Sequence, residues 1–438
     1  MFTTMRNAWR TPELRKKLLY TLLIIVIFRL GCALPVPFLD PDKITAMISG
    51  NEGSIFSYLD MLSGSAISRG TVLALSIQPY INASIIIQLL TYALPPLESL
   101  QKEGEEGRKK LQKITSATAL VISLVMSYGY YFTVRNQAHA VKYTSGFEGV
   151  FAAIVIIAVL TAGSSLIVWL GNLINENGIG NGISIILFAG IVARIPTDIG
   201  TLFKNASVNT EQYFYIFLIA IIEVIMIGFI VLMNNAERRI PIQYAKRVVG
   251  RKQYGGQNTH IPVKVAMSGV MPIIFAMAFM SLPQTIQMFV GAPTGNSDDW
   301  TFWEKFYSGM LRFFSSYSGW YAVIYFILII AFNYFYVNMQ YNPIEIANNL
   351  RQNNGGIPGI RPGKPTSDFI QRVLSKITLI GAVCLGIIAI FPIFFRMATG
   401  VEISMAGTSI LIIVSVALET VRTLESQMMM RHHKGFLE

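Results

Sequence analysis

The chain offers little to catalysis or to metal binding. Its four histidines, His139, His260, His432 and His433, all fall in loops or the tail, so no imidazole base lies within an apolar segment. No Gly-x-Ser-x-Gly, His-Glu-x-x-His or phosphate-loop pattern occurs. The run Gly178-Ile179-Gly180-Asn181-Gly182 follows an apolar segment rather than a strand, and no lysine follows it, so it reads as a flexible turn. Cys32 and Cys384 lack metal-ligand spacing and read as small packing residues. No cofactor and no metal are expected.

Charges inside apolar segments are a default sign of function. Arg29, Glu223 and Arg194 lie in such segments, and Glu419 lies near the end of another. An ion-coupled transporter places several carboxylates at the midplane, whereas here Glu223 alone qualifies. One or two structural ion pairs, such as Arg29 with a carboxylate elsewhere, account for the charges. The apolar positions are more telling. Ile77 and Ile81 stand four apart, on one helix face, as do Ile183 and Leu187. Ile274 follows Pro272, and Ile412 lies inside the last apolar run. Spacing alone makes each a core residue; facing one midplane cavity they would form a constriction that excludes ions by dewetting.

The elements that carry these residues are membrane spans. With 53% hydrophobic and 13% charged residues, and a mean hydropathy of +0.51, the chain cannot present a polar surface on all sides. Runs of transmembrane length fall near 18–38, 74–94, 114–133, 151–171, 183–203, 213–233, 266–289, 319–339, 374–395 and 405–424, giving about ten spans. The first is a span and not a cleaved signal peptide, because its apolar run is too long and lacks a small-residue cleavage site. With the N-terminus in the cytoplasm, 25 of the 35 Lys and Arg residues fall on that side, 8 on the other and 2 within spans. This bias follows the positive-inside rule and places both termini in the cytoplasm. It also explains part of the net charge of +11 without nucleic acid as a partner.

Two spans are broken. Residues 74–94 contain Pro79 and are dotted with Gln78, Asn82, Ser84 and Gln88; in front of them Ile55–Ile67 is too short to cross a bilayer. Backbone that enters a membrane without crossing it survives only inside protein or beside water, so this is a re-entrant half-helix. Span seven carries Gly269, Pro272 and Pro283. The chain divides into an N-terminal half, 1–203, an external loop, 204–212, and a C-terminal half, 213–438. Five spans per half is the arithmetic of an inverted repeat, with the site between the halves. Spans two and seven are matched, each second in its half.

Two cytoplasmic loops exceed mere connectors. The first, about 234–265, interleaves Arg238, Arg239, Lys246, Arg247, Arg251 and Lys252 with Ile, Tyr and Val, with a turn expected at Tyr254-Gly255-Gly256: a basic β-hairpin. The second, about 340–373, has a short helix at Pro343–Gln352 and then a Gly/Pro tip.

Six motifs, Met61–Gly70, Ile77–Leu90, Lys102–Lys110, Gly178–Ser184, Glu237–Arg247 and Ile357–Gly363, resemble the signatures of the SecY family of protein-conducting channels, in that family's order. The resemblance covers essentially the whole chain. It implies an all-α polytopic fold, two inverted five-helix halves around an hourglass pore. Ile77, Ile81, Ile183, Leu187, Ile274 and Ile412 would be the pore ring, with one leucine as a conservative departure. A plug at about 55–68 would include Ser57, Tyr58, Leu59, Met61, Leu62, Ser63, Gly64, Ser65, Ala66 and Ile67. Spans two and three against seven and eight would form a lateral gate, with Ser84, Gln88, Ser127, Leu282 and Gln284 at its faces. The basic loops, with Arg361 in the second, would dock the motor ATPase SecA or the ribosome. The implied partners are also the small subunits SecE and SecG, signal sequences, unfolded polypeptide and lipid, in a bacterial plasma membrane. The chain itself would be no enzyme. A small-solute transporter, the rival, also uses inverted repeats and broken helices, but it predicts midplane carboxylates and a polar pocket.

Overall fold

The computed structural model describes residues 6, 8–50, 60, 63–208, 212–244, 247–249, 252–254, 258–290, 302–314, 319–399 and 407–432. The helices, in chain order, are α1 (Pro12–Gly31), α2 (Pro41–Gly50), α3 (Gln78–Ala93), α4 (Pro95–Lys102), α5 (Glu105–Asn136), α6 (Gly146–Asn177), α7 (Gly182–Val208), α8 (Gln212–Asn235), α9 (Met271–Val290), α10 (Phe302–Phe313), α11 (Gly319–Gln340), α12 (Pro343–Gln352), α13 (Lys364–Thr399) and α14 (Gly407–His432). Strands β1 (Glu237–Tyr244), β2 (Arg247–Val249), β3 (Lys252–Tyr254) and β4 (Asn258–Lys264) lie between α8 and α9, and β5 (Gly355–Gly356) lies after α12.

Every one of the ten expected spans holds helix. Among the described residues, six helices are by themselves long and apolar enough to cross a membrane, and a bent pair would make a seventh. That pair is α3 and α4, which meet at 99°. The bend has a local cause. Leu94 precedes Pro95, and a residue before proline is pushed out of the helical region; Leu94 is extended, at φ −111° and ψ 114°. The expected start of this span near residue 74 moves to Gln78, because residues 66–70 and 72–77 are turns. Pro79 then occupies the first helical turn, where its missing N–H costs no hydrogen bond.

Two compact units result, one of Met1–Ile216, Ala278–Tyr321 and Ile412–Glu438, the other of Phe217–Met277 and Ala322–Leu411. In the first, α5 packs against α3 and α6, and α1 against α6 and α7. Its core gathers Ile67, Leu75, Met126, Tyr130, Ile156 and Leu160. A smaller cluster of Ala8, Leu14, Ile179 and Leu424 joins the N-terminal segment to α14 and the Gly178–Gly182 turn, whose Ile179 N–H donates to the Thr21 hydroxyl at 3.2 Å.

The second unit is built on a three-stranded sheet in the order β4-β1-β5. β1 pairs with β4 antiparallel from Glu237↔Lys264 to Gln243↔Asn258, and with β5 at Gln243↔Gly356 and Tyr244↔Gly355. Ile240 and Ile242 alternate inward and pack with Val263, Leu350, Ile357, Ile370 and Leu374, so the sheet rests on α12 and the first turns of α13. Deeper in this unit, Asn333 of α11 meets the Ser268 hydroxyl and donates to the Thr378 carbonyl at 3.0 Å, so a buried polar group finds partners.

The expected strands are present in the first of the two long loops. Tyr254 belongs to β3 and pairs with Arg247 of β2, and Val249 pairs with Lys252. Gly255 and Gly256 lie outside the described residues.

Candidate functional site

The re-entrant segment is held by polar bonds from three helices. Of the expected plug residues, Ser57, Tyr58, Leu59, Met61 and Leu62 lie outside the described residues; Asp60 and Ser63–Ile67 are described. Ser63 organises the turn: its hydroxyl donates to the Asp60 carbonyl at 3.0 Å and accepts from the Ala66 and Ile67 N–H groups at 3.2 and 3.4 Å. Asp60 closes it, with Oδ1 accepting from the Ser68 N–H at 2.7 Å. Gly64 has φ +69° and lies where a β-carbon would come within 2.5 Å of Arg29 Nη1 and 2.8 Å of the Gly190 carbonyl oxygen. Glycine is therefore required there for both conformation and space.

The docking contacts are specific. Asp60 Oδ2 pairs with Arg194 Nη1 at 3.2 Å, and Arg194 Nε pairs with Asp198 Oδ1 at 3.0 Å. The Asp60 side chain is 6% exposed and that of Arg194 23%. Removing one member of a buried pair costs about 3–5 kcal/mol, less where water reaches it. Arg29 donates to the Gly64 carbonyl at 3.5 Å and, among the described residues, has no carboxylate partner, contrary to the expectation for it. Tyr130 of α5 donates its hydroxyl to the Ile67 carbonyl at 3.0 Å, and the Cys32 thiol lies 3.9 Å from the Ser63 carbonyl. Asp60 and Asp198 went unnoticed in the sequence. The i,i+4 spacing of Arg194 and Asp198 was the available signal for one of them.

Ile67 ends the segment inside a small apolar cavity of about 20 Å³, lined by Ile67, Leu75, Ser76, Ile77, Gln78, Met126 and Leu187. Such a volume holds about one water. Two expected ring residues, Ile77 and Leu187, thus meet an expected plug residue. Ile81 is buried one turn further along α3. Ile183 is half-buried, its Cγ1 3.4 Å from where a β-carbon on Gly171 would lie, so it leans on α6. Ile412 is buried on α14 in the first unit, and Ile274 is half-buried in the second.

The expected gate residues are engaged locally. Gln88 Nε2 donates to the Ser84 hydroxyl at 3.0 Å within α3, while Gln88 Oε1 is buried and has no partner among the described residues. Ser127 turns toward α6: its hydroxyl donates to the Ser123 carbonyl at 2.7 Å and lies 3.0 Å from the Thr161 hydroxyl. Leu282 is half exposed on α9, and the side chain of Gln284 lies outside the described residues.

The two long loops form one platform, joined where β5 adds to β1. Arg238 and Arg361 are exposed, and among the described residues neither has a carboxylate partner. Arg361 sits on an ordered turn, its carbonyl accepting from the Thr366 hydroxyl at 2.8 Å. Arg239 Nε bonds Glu237 Oε1 at 2.7 Å, and this hydrogen bond holds the Glu237 carboxyl below its usual range. Of the other expected docking cations, Arg247 and Lys252 lie on β2 and β3, whereas Lys246 and Arg251 fall outside the described residues.

A family model described as SecY matches residues 71–421. The protein translocase subunit SecY of Streptomyces galbus is 39% identical over 447 residues, covering 100% of both chains. That of Mycobacterium tuberculosis (strain ATCC 25618 / H37Rv) is 38% identical over 450 residues, again covering 100% of both. Among solved structures, a protein-conducting channel superposes with a TM-score of 0.60 at 18% identity, covering 94% of this chain and 92% of that one. Sec61 in a canine ribosome-channel complex superposes with a TM-score of 0.56 at 17% identity, covering 94% and 92%.

Proposed function

Because this chain belongs to the SecY family of protein translocase subunits, we propose that it is the channel through which unfolded secretory polypeptides cross a membrane and hydrophobic segments leave sideways into lipid. The observation that carries the mechanism is Ile67 seated in one apolar cavity with Ile77 and Leu187. A channel for polypeptide must pass every kind of side chain and still hold back ions at rest. Flexible, uncharged side chains meet both demands, since they seal by staying dry and offer no fixed hydrogen bond to grip the chain. The segment from Asp60 to Ile67 is the second barrier behind them.

In this reading Ile77, Ile81, Ile183, Leu187, Ile274 and Ile412 form the constriction, and the halves 1–203 and 213–438 part between spans two and seven to admit a signal sequence. Gln88 Oε1, without a partner among the described residues, supports a gate face on α3, because a buried acceptor without a donor favours a state in which it finds one. The chain lacks a phosphate-loop motif, so the driving energy comes from a partner. SecA or the ribosome docks on the platform of β1, β4, β5 and α12, where Arg238 and Arg361 stand exposed. The Lys and Arg bias supports a cytoplasmic platform and cytoplasmic termini, and the actinobacterial relatives support a bacterial plasma membrane. Exposed Phe214, Phe217, Val224, Ile225 and Leu232 on α8 suit lipid or the small subunits SecE and SecG.

Reconstitution tests this. Vesicles holding the chain with SecE, SecG and SecA should take up a secretory precursor on addition of ATP, and vesicles lacking the chain should not. Equal uptake without the chain, or uptake of a small solute in place of the precursor, would overturn the reading.

A further inference from the structure

Among the described residues of the first unit, Arg29, Asp60, Arg194 and Asp198 are charged side chains at or beside the re-entrant segment, and the last three form a single cluster. Arg194 lies between Asp60 and Asp198, one pair at 3.2 Å and the other at 3.0 Å. Asp198 belongs to the same helix as Arg194, one turn away, and serves to orient the guanidinium. Asp60 belongs to the re-entrant segment, 134 residues distant in the chain. We infer that Arg194, oriented by Asp198, is the latch that holds the plug shut through Asp60, and that the strength of this one ion pair sets how readily the resting channel opens. The inference rests on the channel reading above and deepens it.

Three features favour a latch over a merely structural pair. Asp60 uses its two oxygens differently, Oδ1 on the Ser68 N–H inside the segment and Oδ2 on Arg194 outside it. The turn can therefore keep its own shape once the outer bond breaks. Among the described residues the other docking contacts are weak or neutral: a long Arg29 bond to the Gly64 carbonyl at 3.5 Å, the Cys32 thiol 3.9 Å from the Ser63 carbonyl, hydroxyl bonds from Tyr130 to the Ile67 carbonyl and from Thr45 to the Ser68 carbonyl, and apolar contact at Ile67. Finally, Arg194 is partly exposed while Asp60 is buried, so water can replace the carboxylate on Arg194 and lower the barrier to release.

Cys32 supplies a native reporter, because it is buried with its thiol against the Ser63 carbonyl. In Cys384→Ala protein reconstituted in vesicles, the rate at which a soluble maleimide modifies Cys32 measures plug departure without any transported polypeptide. Asp60→Asn and Arg194→Gln should each raise that rate about tenfold or more, the change that about 1.4 kcal/mol produces. Arg194→Lys, which keeps the charge, should return it most of the way. Thermal unfolding of each variant separates opening from loss of fold: a variant that labels fast and melts with the parent has opened. Unchanged labelling in both neutral variants overturns the latch, as does equal labelling in Arg194→Lys and Arg194→Gln. Fast labelling with no rise in resting ion conductance keeps the latch and instead defeats the channel reading.

Discussion

The hydroxyl of Tyr130 donates to the carbonyl of Ile67 at 3.0 Å, joining the C-terminal part of α5 to the end of the re-entrant segment. Both groups are buried, so neither can exchange its partner for water without the segment moving. Tyr130→Phe keeps the ring and orphans the Ile67 carbonyl. A buried acceptor left alone costs about 1–3 kcal/mol. The variant should show a higher resting ion leak in planar bilayers and melt slightly lower. A leak equal to the parent's would mean that this bond does not hold the segment.

The cavity gives the expected ring an internal ranking. Ile77 and Leu187 line it, whereas Ile183 leans on Gly171. Ile77→Asn and Leu187→Asn should wet the constriction, raise conductance and improve export of precursors with defective signals. Ile183→Asn should do so less. If Ile183→Asn conducts more than both, the packing in the resting state does not report the seal.

Ile242 is a buried residue on which docking at the platform should depend. It is buried on the inner face of β1 with Leu350 and Ile357, where the two long loops meet. Ile242→Ala removes buried methylenes at a cost of about 2–5 kcal/mol. Limited proteolysis should cut the platform faster, and SecA affinity should fall although every surface charge is intact. Normal affinity in a protease-sensitive variant would uncouple the platform from docking.

The platform charges give predictions of opposite sign. Arg361→Glu should weaken SecA or ribosome binding, with the loss shrinking as salt rises. Glu237→Gln frees Arg239 and should strengthen binding to an acidic surface. The pair carries its own pH sign: Glu237 is held below the usual range, so the ionised pair persists from neutrality down past the ordinary carboxylate value and fails only as pH falls through the lowered one. Binding measured near neutral pH therefore sees the pair intact. Glu237→Gln binding no better than the parent would mean that Arg239 is not at the interface.

Much of this protein was legible along the chain. Apolar runs of membrane length located helices, and Pro79 lay in a span that the structure does break, though at Leu94-Pro95 and not at Pro79 itself. Each of these is a local property, set by side-chain transfer free energy or by the backbone limits of proline. Six motifs in register carried the family as well. Local reasoning erred where the choice between neighbours was close: the helix start moved from near 74 to Gln78.

Only the tertiary structure decided which distant groups meet. Nothing in spacing reveals that Arg194 takes Asp60, that the Ser127 hydroxyl turns to Thr161, or that Gly355 and Gly356 add a strand to β1 and merge two loops into one platform. Periodicity names the face a residue occupies on its own element. The partner across that face depends on helix crossings and on how closely backbones approach, as at Gly64 and Gly190, and these follow from packing of the whole unit.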